Sequence, residues 1–420
     1  MGFHTACATQ DVLLHCLISL GPRSALPLRA LSKSIGSTVI GLWEVLQEHY
    51  PVHFYIVGGK MDGDEVVSLA QRFQPENHAW QSLPPMSLGR ASAAVASLSG
   101  ALYVCGGQDE HGQVLDSAER FDPVMGSWTL LPPMSVARHG SAVEAFSGQL
   151  FLCGGRGDQG SLISVECFDP ADWTWHVMPS MQEAREFHSV VILGQNMYVL
   201  GGWNNHLGEY DYAGSHDCHG LTSVEVLSPS STAWTVLPPM HEERYSATAV
   251  AYANKIYVFG GCVTMDSAEY YDADVGVWST LPNMHHGREC PAAAIFEGQL
   301  WLCGGWQGGP CNDIWWRVLP EFDSAFHSSV ECFDFAANQW REQPSMDTAR
   351  GEATATAING SLYVFGGEKV KHLSDWTEYV KSPLMEQFRP AVGAWQQLPA
   401  INEDEAYTWS CFGVATLRRA

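Results

Sequence analysis

The stretch RFDPVMGSWTLLPPMSVARHGSAVEAFSGQLFLCGG, residues 120–155, decides the fold, because versions of it recur along almost the whole chain. Internal repeats of this length indicate a modular architecture built from one recurring unit. Every version closes on a double glycine, and the chain contains seven of them: Gly58-Gly59, Gly106-Gly107, Gly154-Gly155, Gly201-Gly202, Gly260-Gly261, Gly304-Gly305 and Gly366-Gly367.

The spacing inside the repeat is rigid. A tryptophan stands seven residues after an aromatic or aliphatic residue in every copy, as Trp128 follows Phe121. In six copies an arginine lies sixteen residues before the next double glycine, and the last copy has Glu405 at that position. The length varies strongly only after the glycines, so we expect that segment to carry the large loops.

Each copy contains four short apolar segments separated by turn residues. SAVEAFSGQLFLCGG predicts two strands joined at Ser147-Gly148, and SAERFDP followed by SWTLLP predicts two more around an Asp-Pro turn. Each unit is therefore predicted to be a four-stranded antiparallel sheet of about 45 residues, the size of one propeller blade. We expect the glycine pair to lie where a side chain would crowd the neighbouring backbone, and the tryptophan to pack one blade on the next.

The two ends of the repeat region have complementary defects. The first unit begins with a glycine strand, VHFYIVGG, that has no partner before it, and the last contributes only a first strand, AYTWSCFGVATL. Pairing these two segments removes both exposed edges. We therefore predict an all-β fold over residues 52–420: a seven-bladed propeller closed by pairing of the N-terminal and C-terminal strands.

These residues resemble the kelch repeat family, which combines the double glycine, a spaced tyrosine or phenylalanine, a spaced tryptophan and an arginine before the first strand. The resemblance covers residues 52–417. It implies a kelch propeller, a fold that serves as a protein-interaction module and, in some members, as an oxidase or epimerase.

The first 46 residues do not fit the repeat, and their leucine spacing predicts a small helical unit. The segment resembles an F-box, with matches at Asp11, Leu13, Leu14, Leu17, Leu20, Arg23, Leu28, Arg29, Ser32, Lys33, Leu42 and Trp43. Ala8-Thr9-Gln10 stands where an F-box has leucine-proline before the acidic residue. The resemblance implies docking of a Skp-type adaptor through Leu13, Leu14, Leu17, Leu20 and Leu28, and thereby coupling to a cullin. The alternative is a helical cap that covers one face of the ring.

Composition restricts the partners and the compartment. The net charge of −24 argues against nucleic acid and anionic membrane as partners, because both attract basic surfaces. The sequence has no apolar run of eighteen residues and no secretory signal pattern, so we expect a cytoplasmic or nuclear protein. We expect the twelve cysteines to be reduced; Cys105, Cys153 and Cys303 occupy a position that is apolar in the other copies.

The candidate site is the propeller face that carries the loops after the double glycines. We predict a protein partner on this face, bound by two groups of side chains. These are the arginines Arg90, Arg138, Arg185, Arg244, Arg288 and Arg350 and the loop aromatics Trp203, Tyr210, Trp306, Trp315, Trp316 and Trp376. A row of arginines predicts a locally less negative surface suited to an acidic or phosphorylated segment. The alternative is that the arginines bind carbonyls of the adjacent blade and that the tryptophans fold back into their loops.

Evidence for a metal or a catalytic centre is weak in the sequence. His206, His216, Asp217, Cys218 and His219 form a candidate zinc set in one insertion, but the loop has no Cys-x-x-Cys pair. A nucleophile elbow, a phosphate loop and a zinc-protease helix are all missing from the sequence. We therefore predict no metal, no cofactor and no catalysis.

Three functional hypotheses follow. The first is a substrate-recognition adaptor of a cullin-RING, SCF-type ubiquitin ligase, as the combination of F-box and kelch resemblances implies. The second is a kelch scaffold with no ligase role, and the third is a propeller enzyme. Fold alone does not choose among them.

Overall fold

The computed structural model describes residues 52–61, 65–204, 220–229, 231–261, 265–306, 326–372, 377–381, 385–399 and 413–418. Every regular element in these ranges is a β-strand. Within them, no helix long and apolar enough to cross a membrane is present.

The strands are short, and most contain five residues. The first eleven are β1 (Val52–Val57), β2 (Ala70–Gln74), β3 (Ala79–Ser82), β4 (Ala94–Leu98), β5 (Ala101–Cys105), β6 (Ala118–Asp122), β7 (Ser127–Leu130), β8 (Ala142–Phe146), β9 (Gln149–Cys153), β10 (Arg156–Gly157) and β11 (Gly160–Ser161). The next ten are β12 (Val165–Asp169), β13 (Thr174–Met178), β14 (Ser189–Leu193), β15 (Asn196–Leu200), β16 (Val224–Leu227), β17 (Thr235–Leu237), β18 (Thr248–Tyr252), β19 (Lys255–Phe259), β20 (Ala268–Asp272) and β21 (Val277–Thr280). The last eleven are β22 (Ala292–Phe296), β23 (Gln299–Cys303), β24 (Val330–Asp334), β25 (Gln339–Gln343), β26 (Thr354–Ile358), β27 (Ser361–Phe365), β28 (Glu368–His372), β29 (Thr377–Lys381), β30 (Met385–Arg389), β31 (Ala394–Leu398) and β32 (Gly413–Arg418).

The strands form seven four-stranded antiparallel sheets, which are the blades of a propeller. In chain order from the N-terminus, blade one is β32-β1-β2-β3, blade two β4-β5-β6-β7 and blade three β8-β9-β12-β13. Blades four, five and six are β14 to β17, β18 to β21 and β22 to β25, and blade seven is β26-β27-β30-β31. The ribbons β10-β11 and β28-β29 follow the third and seventh double glycines. The first strand of a blade is innermost, where it contacts the first strand of a neighbouring blade, as β4 contacts β32 and β8.

Blade one is assembled from both ends of the repeat region. Strand β1 pairs antiparallel with β2 on one side, with Phe54 opposite Phe73, and with β32 on the other, with Phe54 opposite Thr416. The predicted closure of the ring by its terminal strands is therefore confirmed.

Apolar side chains between the blades form the core. Phe54 and Phe73 of blade one pack with Phe365 and Met385 of blade seven, for example, and all four are buried. The tryptophans add a polar link: in all seven blades the indole N–H donates to the carbonyl of a proline that follows the outer strand of the preceding blade. In blade one this bond joins Trp80 to Pro399 at 3.1 Å.

The double glycines lie where blades approach most closely. Gly154 has φ near +53°, and a Cβ on it would come within 2.5 Å of the Arg185 carbonyl oxygen in the next blade. The N–H of the following residue, Gly155, donates to that same oxygen at 2.9 Å. Any side chain at Gly154 would displace this joint, which explains the glycine at this point of the repeat.

Candidate partner-binding face

Each of the six regularly spaced arginines belongs to a buried hydrogen-bond network that we call the latch. The latch consists of the arginine, the first residue of the double glycine in the same blade, and a glutamate of that blade's third strand. In blade three, Arg138 Nη1 donates to the Gly154 carbonyl at 2.9 Å and to the Ser164 carbonyl at 3.0 Å. Its Nη2 donates to Ser164 Oγ at 2.9 Å and to Glu166 Oε1 at 2.8 Å. The other oxygen, Glu166 Oε2, accepts from the N–H of Ser135 at 2.7 Å.

The latch recurs in blades two to seven. Its arginines pair with Glu119, Glu166, Glu225, Glu269, Glu331 and Glu386 at nitrogen-to-oxygen distances of 2.6 to 3.1 Å. The arginines are no more than 1% exposed, and their fork-shaped guanidinium groups match the fixed carbonyl, hydroxyl and carboxylate acceptors. Blade one has Gln71 at the glutamate position and Glu405 at the arginine position.

Burial therefore corrects the prediction that these six arginines contact a partner and make the face less negative. The arginines are structural, as the alternative holds, but their guanidinium groups bind carbonyls of their own blade and not of the adjacent one. A partner would reach Arg90, Arg138, Arg185, Arg244, Arg288 or Arg350 only if the propeller opened. The hypothesis of an acidic or phosphorylated partner rested on these arginines and therefore loses its support.

The pKa shifts agree with a tightly packed ion pair. Burial lowers the pKa of Arg138, while the charge of Glu166 opposes the shift. Burial alone would raise the pKa of Glu331, but the charge of Arg288 and its hydrogen bond outweigh this and leave the pKa lowered. Charged hydrogen bonds of this kind are about twice as strong as neutral ones.

On the loop face, the chain runs from each latch arginine toward the propeller axis. Two positions after the arginines, and two before each inner strand begins, stand residues that all have positive φ: Ser92, Gly140, Phe187, Ser246, Cys290 and Glu352. We call this set the axial rim. Backbone hydrogen bonds join rim residues of adjacent blades, as Ser246 N–H donates to the Phe187 carbonyl at 2.9 Å. Phe187 and Glu352 are exposed on it.

Two predicted aromatics lie beside the rim. Trp203 and Trp306 directly follow a double glycine, and each exchanges two backbone hydrogen bonds with the residue after a latch arginine, Glu186 or Glu289 respectively. Both tryptophans are partly exposed. The Trp203 ring lies 6.5 Å from that of Tyr245. Their placement on the loop face is compatible with partner contact, which stays a prediction.

Several predicted residues lie outside the described residues. These are Tyr210, Trp315, Trp316, Trp376, the candidate zinc set His206 to His219, and the F-box-like leucines Leu13, Leu14, Leu17, Leu20 and Leu28. In the described part, one group has metal-ligand chemistry: Asp169, Asp172 and His176. These residues lie in a hairpin turn, where their side chains form hydrogen bonds with one another and with nearby backbone N–H groups. His176 Nε2 lies 2.8 Å from Asp172 Oδ2.

The latch glutamates were missed at the sequence level, although a signal was present. Blades two to six contain Ser-x-Glu with the glutamate two residues before the aromatic or aliphatic position, as in Ser164-Val165-Glu166 before Phe168. This serine and glutamate supply the acceptors for Arg138. A buried polar repeat in phase with an arginine repeat indicates a paired structural network.

Seven blades with a double-glycine joint and a tryptophan link, six of them with an arginine latch, define a kelch-type propeller. The KLHDC2/KLHL20/DRC7 Kelch-repeats domain family matches residues 48–261, and the Kelch motif matches residues 243–285. The first match spans half of the chain, and the chain belongs to the kelch-repeat family.

Local similarity extends to proteins of Arabidopsis thaliana named F-box/kelch-repeat proteins. One is 34% identical over 74 residues, or 18% of this chain and 16% of the relative; another is 43% identical over 60 residues, or 14% and 13%. These matches therefore cover a small part of each relative. The solved structure of YjhT has a TM-score of 0.54 at 15% identity, covering 76% of this chain and 99% of YjhT, which supports the fold alone.

Proposed function

We propose that this protein is the substrate-recognition subunit of an SCF-type ubiquitin ligase, with its partner on the loop face of the propeller. The observation that carries the proposal is the combination of a kelch propeller with local similarity to F-box/kelch-repeat proteins. The F-box-like pattern at Leu13, Leu14 and Leu17 supplies the adaptor-binding half. Such a subunit needs no cofactor and would work in the cytoplasm or nucleus.

The loop face is the part of the propeller best suited to recognition. It carries the longest insertions and the partly exposed Trp203 and Trp306 at their bases. Large aromatic side chains on loops over a rigid scaffold are common anchors of protein interfaces. The latches below them keep that scaffold rigid.

Co-purification with a Skp-type adaptor tests the ligase role. We expect the full chain to retain the adaptor and Leu13→Glu/Leu17→Glu to lose it, while the melting temperature of the propeller stays unchanged. The matched control is Leu130→Glu/Val177→Glu, which places the same charges on exposed outer-strand residues and should retain the adaptor. An unmodified chain that retains no adaptor would favour the scaffold hypothesis.

A further inference from the structure

Two acidic residues lie at the junction of blades six and seven: Glu352 on the axial rim and Glu289 directly before the rim residue Cys290. Glu289 directly follows the latch arginine Arg288, is 8% exposed, and has no hydrogen-bond partner for its Oε2. Glu352 is exposed on the rim. A buried carboxylate without a partner is costly, so this residue is expected to have a ligand or a function.

The equivalent residue of blade four, Glu186, also has an Oε2 without a partner, but its other carboxylate oxygen is paired. Glu186 Oε1 accepts from Ser161 Oγ at 3.0 Å and lies 3.4 Å from Arg156 Nη1. Arg156 of blade three therefore supplies a positive charge to Glu186 of blade four. Among the described residues, no side chain plays this role for Glu289, and the charge acting on it is the like charge of Glu352.

Aromatic side chains flank the same place. Trp306 exchanges backbone hydrogen bonds of 2.8 and 2.9 Å with Glu289. Phe326 pairs with Trp306 as an isolated bridge, and its ring packs against Gly351, where an added Cβ would come within 2.7 Å of the ring. Both aromatics are partly exposed. We call Glu289, Glu352, Trp306 and Phe326 the acidic sector.

Building on the proposed function, we propose that the acidic sector binds one basic side chain, lysine or arginine, of the protein partner. Carboxylates form strong hydrogen bonds with such a group, and aromatic faces attract an organic cation. A divalent metal ion instead prefers six or more oxygen ligands, whereas this sector offers two carboxylates beside Trp306 and Phe326. The net charge of −24 also attracts a basic partner toward the protein.

Binding of a cation in the acidic sector is linked to release of the proton from Glu289. Burial, followed by repulsion from Glu352, raises the pKa of Glu289 to about 7. The neighbouring Arg288 does not offset this, because its guanidinium is directed to Glu331. A bound ammonium or guanidinium favours the ionised carboxylate, so binding should tighten as the pH rises from 6 to 8 and release up to about half a proton at pH 7.

Titration of the full chain with a fluorescein-labelled hexalysine peptide at physiological salt tests the proposal. We expect Glu289→Gln/Glu352→Gln to bind at least ten times more weakly than the wild type. The control Glu110→Gln/Asp158→Asn removes two charges from exposed loop residues on the same face and should change affinity less than twofold. A peptide with acetylated lysines should not bind.

Equal weakening in the site variant and the control would show general attraction to an acidic protein and overturn the proposal. Stabilisation by Ca²⁺ that needs Glu289 and Glu352, without lysine binding, would replace it with a metal site. If the double variant fails to fold, Glu352→Gln alone provides the test, since this side chain is exposed. Hexalysine binding through the sector without adaptor retention would leave this proposal standing and remove the ligase role; the reverse result would remove only this proposal.

Discussion

Blade one and the other six blades share the hydrogen bond that joins neighbouring blades and differ in a network inside each blade. All seven use the tryptophan-to-proline hydrogen bond, including Trp80 to Pro399 in blade one. Blades two to seven add a buried arginine-glutamate latch, whereas the matching positions of blade one are Glu405 and Gln71. Both members of the pair are changed together, so blade one avoids a buried carboxylate at residue 71. Blade one depends instead on pairing between β1 and β32.

The largest expected effect is loss of that pairing. Deleting residues 413–420 removes β32 and exposes the inner edge of β1, and we expect a loss on the order of 5 kcal/mol in the free energy of unfolding. Thermal unfolding followed by circular dichroism measures it. Deleting only residues 419–420, beyond the strand, is the control. An unchanged melting temperature in the larger deletion would contradict the importance of closure.

Breaking one latch should cost less than opening the ring. Arg138→Lys keeps the charge but cannot serve the acceptors of Gly154, Ser164 and Glu166 together, so we expect a loss of about 3 kcal/mol. Urea denaturation gives the free energy. Arg341→Lys, at a half-exposed ion pair, is the control and should change stability by less than about 0.5 kcal/mol. If Arg138→Lys instead reduces partner binding at unchanged stability, the structural role of the latch is wrong.

Introducing only the glutamate of the latch into blade one tests whether the latch pattern extends to that blade. Gln71 is 4% exposed, and Gln71→Glu places a carboxylate there while the sequence keeps Glu405 at the arginine position. We expect destabilisation of about 2 kcal/mol, recovered at least in part when Glu405→Arg is added. A double-mutant cycle in urea measures the coupling between the two positions. Additive effects would show that the pattern of the six latches does not extend to blade one.

The smallest expected effect is that of removing the His285 side chain, which adds a contact to the latch of blade six. His285 Nδ1 lies 2.8 Å from Glu331 Oε2, while blades two and three have serine at the equivalent position and use its backbone N–H. We expect His285→Ser to cost less than about 1 kcal/mol, because the imidazole is half-exposed and the N–H bond remains. Equilibrium unfolding is the measurement, with His176→Ser on an exposed hairpin as the control. A loss as large as that in Arg138→Lys would contradict this ranking.

The repeat period was enough to predict the blades, and the unpaired terminal strands were enough to predict closure. The direction of the arginine side chains was harder, because a rigid spacing places a residue on the chain without saying whether it faces solvent or a neighbouring strand. The Ser-x-Glu pattern around Glu166 would have resolved it, since its acceptors match a guanidinium group. The acidic sector was out of reach, because Glu289 and Glu352 lie in different blades and come together only in the closed ring.

The placement of β32 also has a consequence for synthesis in the cell. Strand β1 is translated first, yet its inner partner leaves the ribosome only after residues 413–418 have been made. Until then the nascent chain is an arc with an open β-edge at its first blade, and such edges favour association with other chains. Quality control of this protein therefore depends on residues 413–418: a translation product interrupted before them keeps the open edge that chaperones and proteases recognise.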